Sequence, residues 1–157
     1  MATLKQELGA RGERLVVEHC RCPRCKRPRS LRRLPPNFRC ADVICDLCGF
    51  VAQVKTASST NPDRLPKQLL GAAWAPHRER MRAGIYFPLF LVLIASAQSY
   101  AIHYLSADLQ VPEMFRPRNP LSASAKRAGW QGFMIDLGPV PPGAFVRVHP
   151  ASIRGRT

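Results

Sequence analysis

Ala41-Asp42-Val43-Ile44-Cys45-Asp46-Leu47-Cys48-Gly49-Phe50-Val51-Ala52-Gln53-Val54-Lys55 reads as two short strands around a cysteine-containing turn. Val43, Ile44, Val51 and Val54 favour extended backbone, which sets strands over 40–45 and 50–56. A turn centred between Leu47 and Cys48 places Asp42 directly across from Gln53, with Lys55 two residues along on the same face. Val51, Gln53 and Lys55 then share one side, while Ala52 and Val54 share the other and can meet a core.

The turn itself, Cys45-Asp46-Leu47-Cys48, has an upstream twin in Cys22-Pro23-Arg24-Cys25, nineteen residues away. Two residues between cysteines let one tight turn aim both sulfurs at a single ion, and a second such turn completes a tetrahedron. Paired units at this separation therefore point to one Zn²⁺ held by Cys22, Cys25, Cys45 and Cys48, with Gly49 suiting the turn backbone. The competing explanations are unrelated buried thiols or a redox pair. Cys20 and Cys40 each lie near a ligand and can in principle replace it. Four protein ligands leave no open position, so such a zinc is structural.

Asp42, Gln53 and Lys55 are by themselves compatible with a solvated strand face. A carboxylate, a side-chain carbonyl and a nearby backbone carbonyl are also hard oxygen ligands of the kind Mg²⁺ takes. A water on that metal, with Lys55 to orient it or to stabilise the transition state, gives phosphodiester hydrolysis.

The chain has 157 residues, the size of one domain. Its 24 Lys plus Arg against 10 Asp plus Glu leave a net charge of +14. A field of one positive sign attracts polyanions, and counterion release makes nucleic acid the favoured partner. No segment has the two faces of an interfacial membrane helix. The apolar run from Ile85 to Ala97 is about thirteen residues with Pro88 inside it, short of the roughly twenty that span a bilayer. The amino terminus lacks the apolar stretch of a secretion signal, so a cytoplasmic protein is expected, where six cysteines serve as ligands or free thiols.

Around the hairpin, residues 4–19 read as a helix interrupted near Gly9 and Gly12, and residues 65–83 as a second helix disturbed at Pro76. Strands are expected at Ile85 to Ala95, Ser99 to Leu105, Phe133 to Leu137 and Phe145 to Val148, with a frayed basic tail over about 150–157. Cys20 to Pro36 is too poor in apolar residues to pack a core without a metal. The expected architecture is a single mixed α/β domain with the zinc cluster within 20–50.

The stretch from Ala41 to Cys48, continuing to Gln53-Val54-Lys55, resembles the catalytic hairpin of the DpnI-type restriction endonucleases, the Dam-replacing family. A second block, Leu121 to Gly132 continuing to Ile135-Asp136-Leu137, resembles another segment of the same family, and with the cysteines the similarity runs from about Glu13 to Val148. The resemblance implies a PD-(D/E)xK core, a mixed sheet flanked by helices, with the zinc knuckle inserted. It implies a Mg²⁺-dependent endonuclease cutting double-stranded G-A-T-C sites that carry N6-methyladenine. Asp42 is then the metal carboxylate and Lys55 the catalytic lysine. Lys126 and Arg127 suit phosphate contacts, and Trp130 either lies against a base or sugar or packs in a core. Glu13 matches an early acidic residue and also reads as a helix-surface carboxylate.

Two departures accompany the resemblance. Gln53 replaces the usual acid, although its carbonyl can still face the metal, as in some other nucleases of the wider group. Nothing comparable to the family's winged-helix domain follows the core, so methyl reading falls to the core alone or to a second reader. The alternative is a zinc-containing nucleic-acid-binding module whose cutting has been impaired at Gln53; a zinc protein acting on RNA or protein is the third possibility.

Overall fold

Thr3 starts the first helix, α1 (Leu4–His19), by accepting the Gln6 N–H while the Gln6 side chain accepts the Thr3 N–H, a reciprocal cap that satisfies two otherwise orphaned donors. The interruption expected at Gly9 and Gly12 does not occur. Gly12 lies against a neighbouring strand so closely that an added Cβ would sit 1.8 Å from Thr56 Oγ1. It is there for close approach and breaks nothing. Leu15 and Val16 fill the same helix face, and burial of each contributes on the order of 2 kcal/mol.

The computed structural model describes residues 2–36, 38–119, 122–124 and 131–150. Its strands are β1 (Leu31–Arg33), β2 (Val43–Cys45), β3 (Val51–Ser58), β4 (Gln68–Gly71), β5 (Leu89–Ile94), β6 (Tyr100–Leu105), β7 (Phe115–Pro117), β8 (Phe133–Asp136) and β9 (Val146–His149), with a second helix, α2 (Trp74–Arg82). The fold is mixed α/β. Its residues form two compact units: one runs up to Arg64 and adds Phe87–Ser106 and the chain from Phe145 on, and the other comprises Leu65–Tyr86 and Ala107–Ala144.

The first unit holds a six-stranded mixed sheet in the order β1-β2-β3-β5-β6-β9. β3 and β5 are parallel, pairing Gln53 with Leu89 and Lys55 with Leu91, and the other neighbours are antiparallel. Leu89–Ile94 is buried along its whole length, as a central strand covered on both faces must be. Ala52, Phe90, Val92, Ile94 and Ile102 pack with Leu15 and Val16 of α1 into one core. Alternation then puts Gln53, Lys55 and Leu91 on the opposite face of the sheet. β1 was not anticipated: Leu31 is fully buried in a segment expected to pack only with the help of a metal.

In the second unit β4, β8 and β7 form an antiparallel sheet. Here the helix expected over 65–83 is corrected. Leu69 and Leu70 pair with Ile135 and Met134 in strands, and the helix begins only at Trp74. Pro76 falls in its first turn, where no intrahelical N–H is needed. Strand pairing distant in sequence overrode the local helical spacing. Gly71 has no room for a Cβ, which would lie 2.2 Å from the Phe133 ring, and Phe133 in turn stacks on His77 with ring centres 4.5 Å apart.

Candidate active site and metal centre

The two CxxC turns are built alike. Each second cysteine is followed by a residue in the left-handed region, Lys26 (φ 64°) and Gly49 (φ 77°). The N–H of that residue returns to the carbonyl of the first cysteine, Lys26 to Cys22 and Gly49 to Cys45, each at 2.9 Å. The N–H of the first cysteine reaches one residue further, Cys22 to Arg27 at 3.1 Å and Cys45 to Phe50 at 2.7 Å. Two matching knuckles thus face each other.

Cys22, Cys25, Cys45 and Cys48 bring all four sulfurs within 4.8 Å of one another. Cys22 and Cys48 are 3.6 Å apart and Cys25 and Cys45 3.7 Å. A tetrahedral ion with metal–sulfur bonds of about 2.3 Å requires edges of about 3.8 Å, so the residues present fit a four-thiolate metal ion. Cys20 and Cys40 stay outside the cluster. Burial pushes the Cys20 thiol up to about 12, and that side chain belongs to the core.

Within the cluster, burial raises Cys22 to about 12, while Cys45 is lowered to about 6, first by the Ser30 hydroxyl and then by the Cys48 and Leu47 backbone N–H groups, against desolvation. Ser30 Oγ lies 3.1 Å from the Arg27 carbonyl, to which it donates, and 3.3 Å from Cys45 Sγ. Its single hydrogen serves the carbonyl when Cys45 is a thiol and turns to the sulfur when Cys45 is a thiolate. Ser30 is a supporting residue that no motif marks in advance.

β2 and β3 pair with Val43 opposite Ala52 and Ile44 opposite Val51, the register expected from a turn centred between Leu47 and Cys48. Asp42 lies in the bend just before β2. Its N–H donates to the Ala52 carbonyl at 2.9 Å, and its Oδ2 accepts the Val54 N–H at 2.8 Å. The carboxylate thereby satisfies a strand donor that β2 is too short to reach, and it keeps a second oxygen for a cation.

The Gln53 amide donates Nε2 to the Cys40 carbonyl at 2.9 Å. A carbonyl can only accept, so this bond fixes which end of the amide is nitrogen and leaves Oε1 as the end that can meet a metal. Cys40, with φ 83°, holds the strained turn that aims this carbonyl. Lys55 is half-buried. Desolvation lowers its pKa, Asp42 opposes that shift, and Lys5 adds to it. A dehydrated ammonium next to a carboxylate is a strong local electrostatic feature of the face that carries Gln53.

Glu13 does not stand free: it pairs with Arg33 at 2.9 Å and ties α1 to β1. Lys126, Arg127 and Trp130 lie outside the described residues, as does the tail from 151. No described helix is long and apolar enough to cross a membrane.

A family model described as DpnI, the Dam-replacing family, matches residues 5–154, nearly the whole chain. No curated protein matches it.

Proposed function

The chain belongs to the DpnI, Dam-replacing family, and from that membership we propose that it is a magnesium-dependent endonuclease directed to double-stranded G-A-T-C sites carrying N6-methyladenine. A restriction-type nuclease role on DNA comes with the family. The observation that supports the finer reading is the hairpin, on which Asp42 and the Gln53 amide are each fixed by a backbone bond beside a dehydrated Lys55.

In this reading the larger sheet and α1 are a PD-(D/E)xK core. Asp42 and Gln53 would hold Mg²⁺, a hard cation suited to oxygen ligands. Magnesium, when bound, acidifies a water and offsets charge on the phosphate. The Val54 N–H keeps the Asp42 carboxylate from rotating, and the Cys40 carbonyl does the same for Gln53. Lys55 donates to a phosphate oxygen as charge develops there, and its partial burial strengthens that contact. Cys22, Cys25, Cys45 and Cys48 would hold a structural Zn²⁺, which would pin the hairpin turn. Lys126 and Arg127 grip phosphates and Trp130 lies against a base or sugar. The DNA is met in the cytoplasm.

Plasmid prepared from an adenine-methylating host is the test substrate. We expect cutting that requires added magnesium, spares unmethylated plasmid and disappears in Asp42→Ala and Lys55→Ala. The substitution of Gln53 for an acid favours one rival, a binding module that no longer cuts. Wild type and both variants binding DNA equally, with none of them cutting, establishes that rival and ends the nuclease reading.

A further inference from the structure

α1 ends at His19, and Cys20 turns the chain out into the first cysteine knuckle. At this end of the helix, His19, the knuckle and residues of β5, β6 and β9 line a groove of about 840 Å³ on the α1 face of the sheet. That size lies within the range of about 300–1,000 Å³ for ligand sites. Phe50, Phe90 and Tyr104 form its floor and Val146 its open wall, with Val146 55% exposed. Arg21, Arg24 and Lys26 stand on the rim, and no carboxylate is among the lining residues. At the far end His149 stacks on His19 with ring centres 4.2 Å apart, and the Tyr100 hydroxyl lies 3.0 Å from His19 Nε2. Alternation places Gln53 and Lys55 on the other face, so the groove is not a part of the hairpin site.

An occupant must offer a flat or apolar body to the floor and anionic groups to the rim. A nucleotide joins both in one unit a few bonds apart, whereas an acidic peptide carries its charge and any ring on separate side chains. A duplex keeps its bases stacked inside and is about 20 Å across, too wide for such a cleft, so only an unstacked base can enter. We propose that this groove binds an unpaired nucleotide of a single DNA strand, with the base over Tyr104 and Val146 and its phosphates against Arg21, Arg24 and Lys26. The choice of nucleic acid over other anions rests on the DNA-directed reading above; the groove itself does not depend on cleavage.

The test uses the full zinc-loaded chain in magnesium-free buffer, reading anisotropy of a labelled single-stranded oligothymidylate, with a duplex and an acidic aromatic peptide as comparison probes. Val146→Glu and Arg21→Glu each put a negative charge at the groove without removing a core side chain. We expect each to weaken single-strand binding at least about tenfold, while Val146→Ala binds as wild type and magnesium-dependent duplex cleavage is unchanged. Unaltered single-strand affinity in both charge variants overturns the proposal. So does equal weakening toward the duplex, which indicates a general charge effect, and so does peptide binding as tight as that of the oligonucleotide. Lys55→Met separates the two readings: it removes cleavage if the hairpin is catalytic and leaves the single-strand contrast intact if the groove is a strand site.

Discussion

Lys55 and Gln53, the two side chains proposed to act beside Asp42, affect the fold in opposite directions: burial penalises the lysine and a backbone bond holds the amide. Lys55 is dehydrated, so folding penalises its ammonium form. Below the lowered folded pKa both folded and unfolded chains carry the proton and the cost is complete. As pH rises through that value toward the ordinary lysine value of 10.5, the folded lysine loses its proton first and the cost fades. Lys55→Met should therefore melt no lower than wild type at neutral pH, with any gain shrinking in alkali, while cleavage falls about a hundredfold or more. Melting curves at several pH values together with a cleavage assay check both halves. A variant that melts well below wild type at neutral pH shows that Asp42 contributes more to Lys55 than dehydration removes.

Gln53→Glu looks like a repair toward the usual family acid, yet the Cys40 carbonyl makes it unfavourable in the metal-free protein. A carboxylate there meets an acceptor where the amide donates. Its folded pKa is raised, so the deficit is absent at low pH, where the protonated acid can donate, and grows as pH climbs past about 4.3. We expect a loss of about 1–3 kcal/mol at pH 7 in denaturant unfolding without magnesium, largely recovered near pH 4. A deficit that does not change with pH counts against this bond as the cause.

At the scale of elements, the β2–β3 hairpin has only three residues in its first strand, and two of the four clustered cysteines, Cys45 and Cys48, lie in its turn. Stripping the metal with a strong chelator should loosen the hairpin and end cleavage in a way that added magnesium does not restore but added zinc does. Magnesium rescue in zinc-free protein would show that the cluster is dispensable for positioning Asp42 against Gln53. The contact between α1 and β3 is the other weak point. Gly12→Ala drives a methyl onto Thr56, whose Oγ1, Cβ and Cγ2 all lie within 2.9 Å of the new atom, so a change of rotamer alone gives no escape. A loss of about 1–3 kcal/mol by equilibrium unfolding is expected. Gly9→Ala meets nothing within 4 Å and serves as the control.

For the whole molecule the governing quantity is the charge of +14. If most of the excess faces DNA through about six to ten phosphate contacts, affinity for duplex should fall by roughly 10³ or more between about 50 and 200 mM salt. Filter binding or anisotropy across that range measures the slope. A nearly flat slope would show that the excess charge lies away from the bound DNA.

The sequence by itself determined the four-cysteine cluster, the β2–β3 register and the existence of strands near β5 and β6, because these depend on spacing and alternation within a few dozen residues. Cys22, Cys25, Cys45 and Cys48 were recognisable as two units, and a turn of fixed length dictated which residues of β2 and β3 pair. Only the tertiary structure decided the rest. Leu69 and Leu70 had helical spacing but became strand because β8 offered them backbone partners more than sixty residues away. Gly12 looked like a helix breaker until Thr56 was seen across from it. The Cys40 carbonyl that orients Gln53, and the groove beyond His19, are made by backbone groups and by residues from distant strands. Side-chain pattern carries no record of a carbonyl's direction, and long-range pairing can override local preference, which is why those features waited for the fold.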